Sequence, residues 1–177
     1  MKKKLIVLDL DATLISAQSC STFNEKKEAK KKSKFKFFKM DNYYIVFARP
    51  NLQIFLDYIF KNFRVAVWTA ASQLYALSVI ENFILSSPGR RLDFVMFDYH
   101  NEHSISNGKG TKDLSLLKSF YGLDFNDVII LDDYSEVCKT NPVNSIKAKF
   151  FDYKKRNSQK DDFLLRVISK FEHYLQN

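Results

Sequence analysis

Asp9 and Asp11 stand one residue apart directly after the apolar run 5–8, and Thr13 follows two positions on. Carboxylates at that spacing are candidates for a nucleophile and a general acid, for a hard-metal site, or for both. A second acidic pair, Asp132-Asp133, closes another apolar run at 128–131, and Thr69 closes a third at 65–68. Four aspartates in one cleft would repel one another and raise their pKa values unless a cation offsets them. An all-oxygen set of this kind suits Mg²⁺, which prefers one or two carboxylates together with water and phosphate oxygens. Thr69 offers a hydroxyl and a backbone N–H to a phosphate oxygen, beside the start of a helix whose N-terminus favours anions. Lys112 supplies a further positive charge. Together these parts describe phosphoryl transfer through an aspartate nucleophile.

The elements that must position these residues are short. The runs 5–8, 65–68 and 128–131 are apolar without alternation, which reads as parallel strands buried on both faces. Burying Asp9 and Asp11 unpaired would be costly, so they belong at the strand's carboxyl end, where open α/β sheets bind ligands. A hairpin is expected over 35–47, turning at Met40-Asp41-Asn42, and another strand at 94–97. Leu52, Phe55, Leu56, Ile59 and Phe63 fall on one helical face after Pro50. Further helices are expected from Ser72 to about residue 85, over 112–121 with Lys112 at its start, and at the C-terminus, where Phe163, Leu164, Val167, Ile168, Phe171, Tyr174 and Leu175 make one apolar stripe. A late strand is expected at 146–151. Strands alternating with helices predict a mostly parallel sheet covered on both faces, with the polar strand ends converging at one edge.

The 177 residues fit one domain over 1–177, with a lysine-rich loop or hairpin region at 16–42 and a small insertion at 94–111. No stretch approaches the roughly 20 apolar residues of a membrane span, so no membrane partner is expected. Lysines at 2–4 look like the start of a secretion signal, but Asp9 and Asp11 interrupt the apolar segment. A soluble intracellular protein, nuclear or cytoplasmic, is the expectation, with Cys20 and Cys138 as reduced thiols. The net charge of +8 is concentrated rather than spread: eight lysines between Lys26 and Lys39 face only Glu25 and Glu28. That segment is either a solvated loop or a guide for a nucleic acid or other acidic partner.

Asp9-Leu10-Asp11-Ala12-Thr13 matches the DxDx(T/V) signature of the haloacid dehalogenase (HAD) superfamily. The wider pattern resembles its Fcp/Scp branch, the phosphatases of the RNA polymerase II C-terminal domain. The shared features are Arg49-Pro50 with Phe55-Leu56, Trp68-Thr69-Ala70, Lys112-Asp113-Leu114, Ile130-Leu131-Asp132-Asp133 and Asn141-Pro142-Val143-Asn144. The resemblance covers nearly the whole chain. It implies a HAD-like, Rossmann-like α/β fold with a small insertion between the second and third motifs. It further implies that Asp9 attacks phosphorus, and that Asp11 protonates the leaving oxygen and then activates water. Asp9, the Asp11 carbonyl, Asp132 and Asp133 would hold Mg²⁺. Thr69 and Lys112 would grip the phosphoryl oxygens, Thr13 would orient the Asp9 loop, and Ala70 and Tyr75 would complete the substrate side.

Ala12 and Asp133 depart little from the branch. Asp98, however, stands where small members carry an arginine that helps recognise phosphoserine, with Lys109 as a candidate replacement cation. The resemblance therefore implies a Mg²⁺-dependent phosphoserine/phosphothreonine protein phosphatase, with the polymerase tail as one phosphoprotein substrate. A polynucleotide end phosphatase of the same fold is the nearest alternative. A non-catalytic binding module is a second, and retention of Asp9 and Asp11 argues against it.

Overall fold

The computed structural model describes residues 3–176, and not the side chains of Lys27 or of 173–176. Tyr174 and Leu175, expected on the apolar stripe of the last helix, therefore lie outside the described side chains. In chain order the strands are β1 (Leu5–Leu8), β2 (Ile15–Ser19), β3 (Phe37–Met40), β4 (Tyr44–Ala48), β5 (Arg64–Trp68), β6 (Val95–Met96), β7 (Val128–Asp132) and β8 (Ser145–Lys147). The α-helices are α1 (Glu25–Lys32), α2 (Leu52–Asn62), α3 (Gln73–Val79), α4 (Asp98–Ser106), α5 (Leu116–Tyr121), α6 (Ser135–Thr140) and α7 (Phe163–Gln176).

The main sheet is parallel, in the order β6-β5-β1-β7-β8. The unbroken apolar character of β1 has a direct cause. Ile6 and Leu8 enter one core with Phe55, Leu56 and Leu164, while Leu5 and Val7 enter another with Trp68, Leu117 and Val137. A strand covered on both faces has no outward side to make polar. Helix α2 turns Leu52, Phe55, Leu56 and Ile59 inward, the spacing of a single helical face.

Register decides where the chemistry sits. Leu8 lies opposite both Val67 and Leu131, so the residues after β1, β5 and β7 emerge level with one another. From β1 the chain builds β5 and β6 on one side, then returns to build β7 and β8 on the other. The reversal falls between β1 and β7, and such a switch point opens a crevice beyond the strand ends.

The 16–42 segment, expected as a lysine-rich loop or hairpin region, holds a strand and a helix ahead of its hairpin. It contributes β2, which pairs with β4, and β4 pairs with β3 in a separate antiparallel sheet ordered β2-β4-β3. The expected hairpin forms, closed by Tyr43 N–H donating to the Met40 carbonyl at 3.0 Å. Most of the lysines are not on a loop: Glu25 to Lys32 is helical, Lys39 is on β3, and Lys34 and Lys36 lie on the connection between them. Lys, Glu and Ala are good helix formers, and glutamates in the first turn with lysines in the last complement the helix dipole. The polar stretch 98–111 likewise holds α4. The expected helix over 112–121 begins only at Leu116, so Lys112 does not open it.

Arg49 ties these parts together. It is 1% exposed. It makes a two-pronged pair with Asp161 at 2.8 and 3.0 Å, and Nη1 donates to the Thr13 carbonyl at 2.9 Å. Its guanidinium also lies 4.4 Å from the centre of the Phe163 ring. Burial works to raise the Asp161 pKa, but the bond and charge of Arg49 outweigh it and hold the carboxyl below the usual range. Removing the cation leaves the buried Thr13 carbonyl without its partner and the half-buried Asp161 carboxylate with only the Phe163 N–H. Arg49→Leu is expected to cost about 3 kcal/mol in urea unfolding; a loss below about 1 kcal/mol would show the pair to be incidental.

Candidate active site

The loop leaving β1 is a tight turn. Leu14 and Ile15 N–H both donate to the Leu10 carbonyl, at 2.8 and 3.1 Å, and Ala12 adopts φ 57°. Leu10 and Leu14 anchor the loop in the core at 0% exposure. Asp9 is thereby fixed to the sheet, its N–H donating to the Leu131 carbonyl at 3.0 Å.

Lys112 reaches the same point from the far side of the crevice. Its ammonium donates to Asp9 Oδ1 at 2.6 Å and to Asp132 Oδ2 at 2.7 Å, and the residue is 3% exposed. Its backbone takes φ 50°, a strained setting for lysine, and is pinned on both sides. Lys112 N–H donates to Asn101 Oδ1 at 3.1 Å, and Asn141 Nδ2 donates to the Lys112 carbonyl at 3.0 Å. Gly110, at φ 86°, lets this loop lie on α6: a Cβ there would stand 2.7 Å from Thr140 Oγ1. Asn101 and Asn141 were not among the expected site residues. Asn141 is visible in the sequence only as part of the resemblance, and nothing nearby marks Asn101.

The remaining expected residues gather around this pair. Tyr75 OH donates to Asp11 Oδ1 at 2.7 Å, and Thr13 Oγ1 donates to Asp133 Oδ1 at 3.3 Å. Thr69 is buried; its Oγ1 accepts from Ala71 N–H at 3.1 Å, which leaves the hydroxyl hydrogen to donate elsewhere. Asp9, Asp11, Thr69, Ala70, Lys112, Asp132 and Asp133 line one cleft of about 520 Å³, together with Asn101, Thr111 and Tyr134. Asp98 and Lys109 are not among its lining residues.

Asp9, Asp132 and Asp133 each present an oxygen within 4.8 Å of the others. Three carboxylates face the buried Lys112 ammonium and, at Asp133, the exposed Lys147, so negative charge is in excess, and the donors are all hard oxygens. That set fits a divalent cation such as Mg²⁺. The Asp11 side chain is not part of this group and is held instead by Tyr75.

The electrostatics follow from burial. Asp9 is pushed up from 3.8 to about 7, by burial first, with Lys112 pulling it down and Asp132 pushing it up. Burial also raises Asp11, against the lowering hydrogen bond from Tyr75, and raises Asp133, where the charge of Asp132 adds to it. For Lys112, burial favours the neutral amine, but Asp9 and Asp132 outweigh it and the ammonium is held above its ordinary range. Tyr75 is raised by burial and by the charge of Asp11.

The sign for stability is definite. A carboxyl whose native pKa exceeds its unfolded one binds more protons in the native state, so stability falls as pH rises between the two values. In chelator, thermal stability should therefore fall from about pH 4 to 7, and Asp9→Asn should flatten the decline. Stability that rises over this interval, or an unchanged slope in Asp9→Asn, would show that Asp9 is not strained.

Comparison with known proteins agrees with this geometry. Residues 4–177 match the family model described as NLI interacting factor-like phosphatase. The CTD phosphatase-like protein 355R of Invertebrate iridescent virus 3 is 41% identical over 181 residues, covering 98% of this chain and 97% of the relative. Its counterpart in Invertebrate iridescent virus 6 is 37% identical over 180 residues, covering 97% and 99%. The fold also matches the solved structure of Fcp1, an RNA polymerase II CTD phosphatase, with a TM-score of 0.57 at 21% identity. This chain is covered over 96% of its length there and spans 48% of the Fcp1 chain. A HAD-like sheet with this cleft at its switch point, and a family match over nearly the full length, place the chain in the NLI interacting factor-like phosphatase family.

Proposed function

We propose that this protein is a Mg²⁺-dependent phosphatase that removes phosphate from phosphoserine or phosphothreonine in a protein, through an aspartyl-phosphate on Asp9. The observation that carries the reading is the Asp9 carboxylate held at the mouth of the cleft by Lys112, with Asp11 beside it on the same loop.

Each residue's part follows from its surroundings. Asp9 is oriented by the 2.6 Å bond from Lys112 and desolvated by burial, which strengthens it as a nucleophile once ionised. One Asp9 oxygen bonds to phosphorus while the bond to the serine or threonine oxygen breaks. Asp11, whose raised pKa favours the protonated form, gives that leaving oxygen its proton. In the second half Asp11 takes a proton from water, the water oxygen bonds to phosphorus, and the bond to Asp9 breaks to release inorganic phosphate. Tyr75 keeps Asp11 turned toward this task through the 2.7 Å hydrogen bond. The Thr69 hydroxyl and the Lys112 ammonium face the phosphoryl oxygens and oppose the negative charge that develops there. Mg²⁺ held by Asp9, Asp132 and Asp133 would neutralise phosphate charge and allow two anions, carboxylate and phosphate, to approach.

Family names supply a first substrate to try. The relatives are described as CTD phosphatase-like, so a serine-phosphorylated polymerase-tail peptide is the phosphoprotein of choice.

Hydrolysis of p-nitrophenyl phosphate should require Mg²⁺, stop with chelator, and fall at least about a thousandfold in Asp9→Asn. Activity surviving in that variant would remove the assigned nucleophile. Side-by-side rates should favour the phosphoserine peptide over a 3′-phosphorylated oligonucleotide; the reverse order would transfer the site to polynucleotide ends.

A further inference from the structure

A second recess adjoins the cleft and shares Asp11 with it. Its volume is about 320 Å³, and Asp11, Ser16, Phe150, Tyr153 and Lys154 are among its lining residues. Phe150 is 53% exposed, and Lys155 Nζ stands 4.5 Å from the centre of its ring. Lys154 Nζ stands 5.9 Å from the Tyr153 ring.

Helix α1 is seated against this same segment. Lys31 Nζ donates to the Lys154 carbonyl, across 123 residues of sequence, and Tyr153 OH lies against both the Glu28 carboxylate and the Gln18 amide. Two basic stretches are thus made neighbours: the lysines of α1, and Lys154-Lys155-Arg156. The acids of α1 are already engaged, Glu25 by Lys32 at 3.2 Å and Glu28 by Tyr153. Among the described residues, Lys26, Lys30, Lys154, Lys155 and Arg156 make no ion pair, and all are exposed. Lys154 lines the recess, Asp152 beside it, and Lys155 stands over its Phe150 ring, so cations that make no ion pair border a recess that opens onto the proposed general acid.

We propose that this band reads the flank of the substrate: a peptide bearing further phosphates or carboxylates beside the phosphoserine. The residues next to the scissile group lie in the recess, and their negative neighbours lie along Lys154, Lys155 and Arg156, with the charge of α1 behind them. This rests on the protein-phosphatase reading above and gives it a substrate preference. The recess favours a peptide over a single-stranded nucleic acid, which is gripped by successive stacking rings. Here Tyr153 is 1% exposed and stacked on Phe47 at 3.8 Å, so Phe150 is the recess's one open ring.

Two fluorescent phosphoserine peptides, one with neutral and one with acidic or phosphorylated flanks, test this by anisotropy on the Asp9→Asn protein. The acidic peptide should bind about tenfold tighter, and the advantage should vanish between 50 and 500 mM salt. Combining Lys26→Gln, Lys30→Gln, Lys154→Gln and Lys155→Gln should erase the advantage while leaving the neutral peptide's affinity unchanged. The same four substitutions in the otherwise wild-type chain should leave p-nitrophenyl phosphate hydrolysis intact. Should the fourfold variant fail to fold, Lys154→Gln with Lys155→Gln alone should remove part of the advantage. Equal affinities, a preference that survives the substitutions, or tighter lysine-dependent binding of an oligonucleotide of equal charge would overturn the proposal. Failure of the wild-type chain to hydrolyse any phosphomonoester would instead overturn the phosphatase reading, since the binding comparison does not depend on turnover.

Discussion

One buried ammonium organises this molecule's chemistry. Lys112 sits between Asp9 and Asp132, on the tips of neighbouring parallel strands, at 2.6 and 2.7 Å. Parallel pairing of β1 with β7 forces those two carboxylates together, in a place where water cannot screen them. Unpaired, either charge would cost several kcal/mol, on the order of the net stability of a whole domain. A single lysine offsets part of that cost and leaves an excess of negative charge, which a divalent ion is suited to remove. The same imbalance suits the strand tips to a divalent cation.

The supports around the pair are short-range and specific. Asn101 and Asn141 pin the Lys112 backbone in its left-handed setting, and Gly110 lets that loop close on α6. Arg49 does the equivalent service under the Asp9 loop, linking the Thr13 carbonyl to Asp161 far along the chain. Asp11 has its own support in Tyr75, from α3. Each reactive group is thus held by a residue from a different element, so the site exists only when the whole sheet is assembled. Proteins accept such local strain where function needs it and recover stability elsewhere, here in the two cores covering the sheet.

The strands carrying the site were legible in the sequence because apolar runs ending in Asp9, Thr69 and Asp132 have few other physical readings. Their neighbour relations were not, since strand order depends on crossovers that local pattern does not encode. The helix α1 was obscured by composition: a run of lysines looks solvated, and only the placement of its two glutamates hints at a helical dipole. β2 was missed because Ser16 and Gln18 are buried polar residues paired by tertiary contacts, which breaks the expected alternation. Lys112 was legible as the cation such a cluster needs, but its true position, ahead of its helix with φ 50°, follows from contacts with Asn101 and Asn141. Arg49 and Asp161 lie 112 residues apart, and nothing in the sequence joins them.

The shared divalent site is best examined in a crystal grown with Mn²⁺, using the ion's anomalous signal. A single strong peak within about 2.3 Å of carboxylate oxygens from both Asp9 and Asp133 is the expected result. A peak elsewhere on the surface, or none at saturating ion, would contradict a metal held jointly by the tips of β1 and β7.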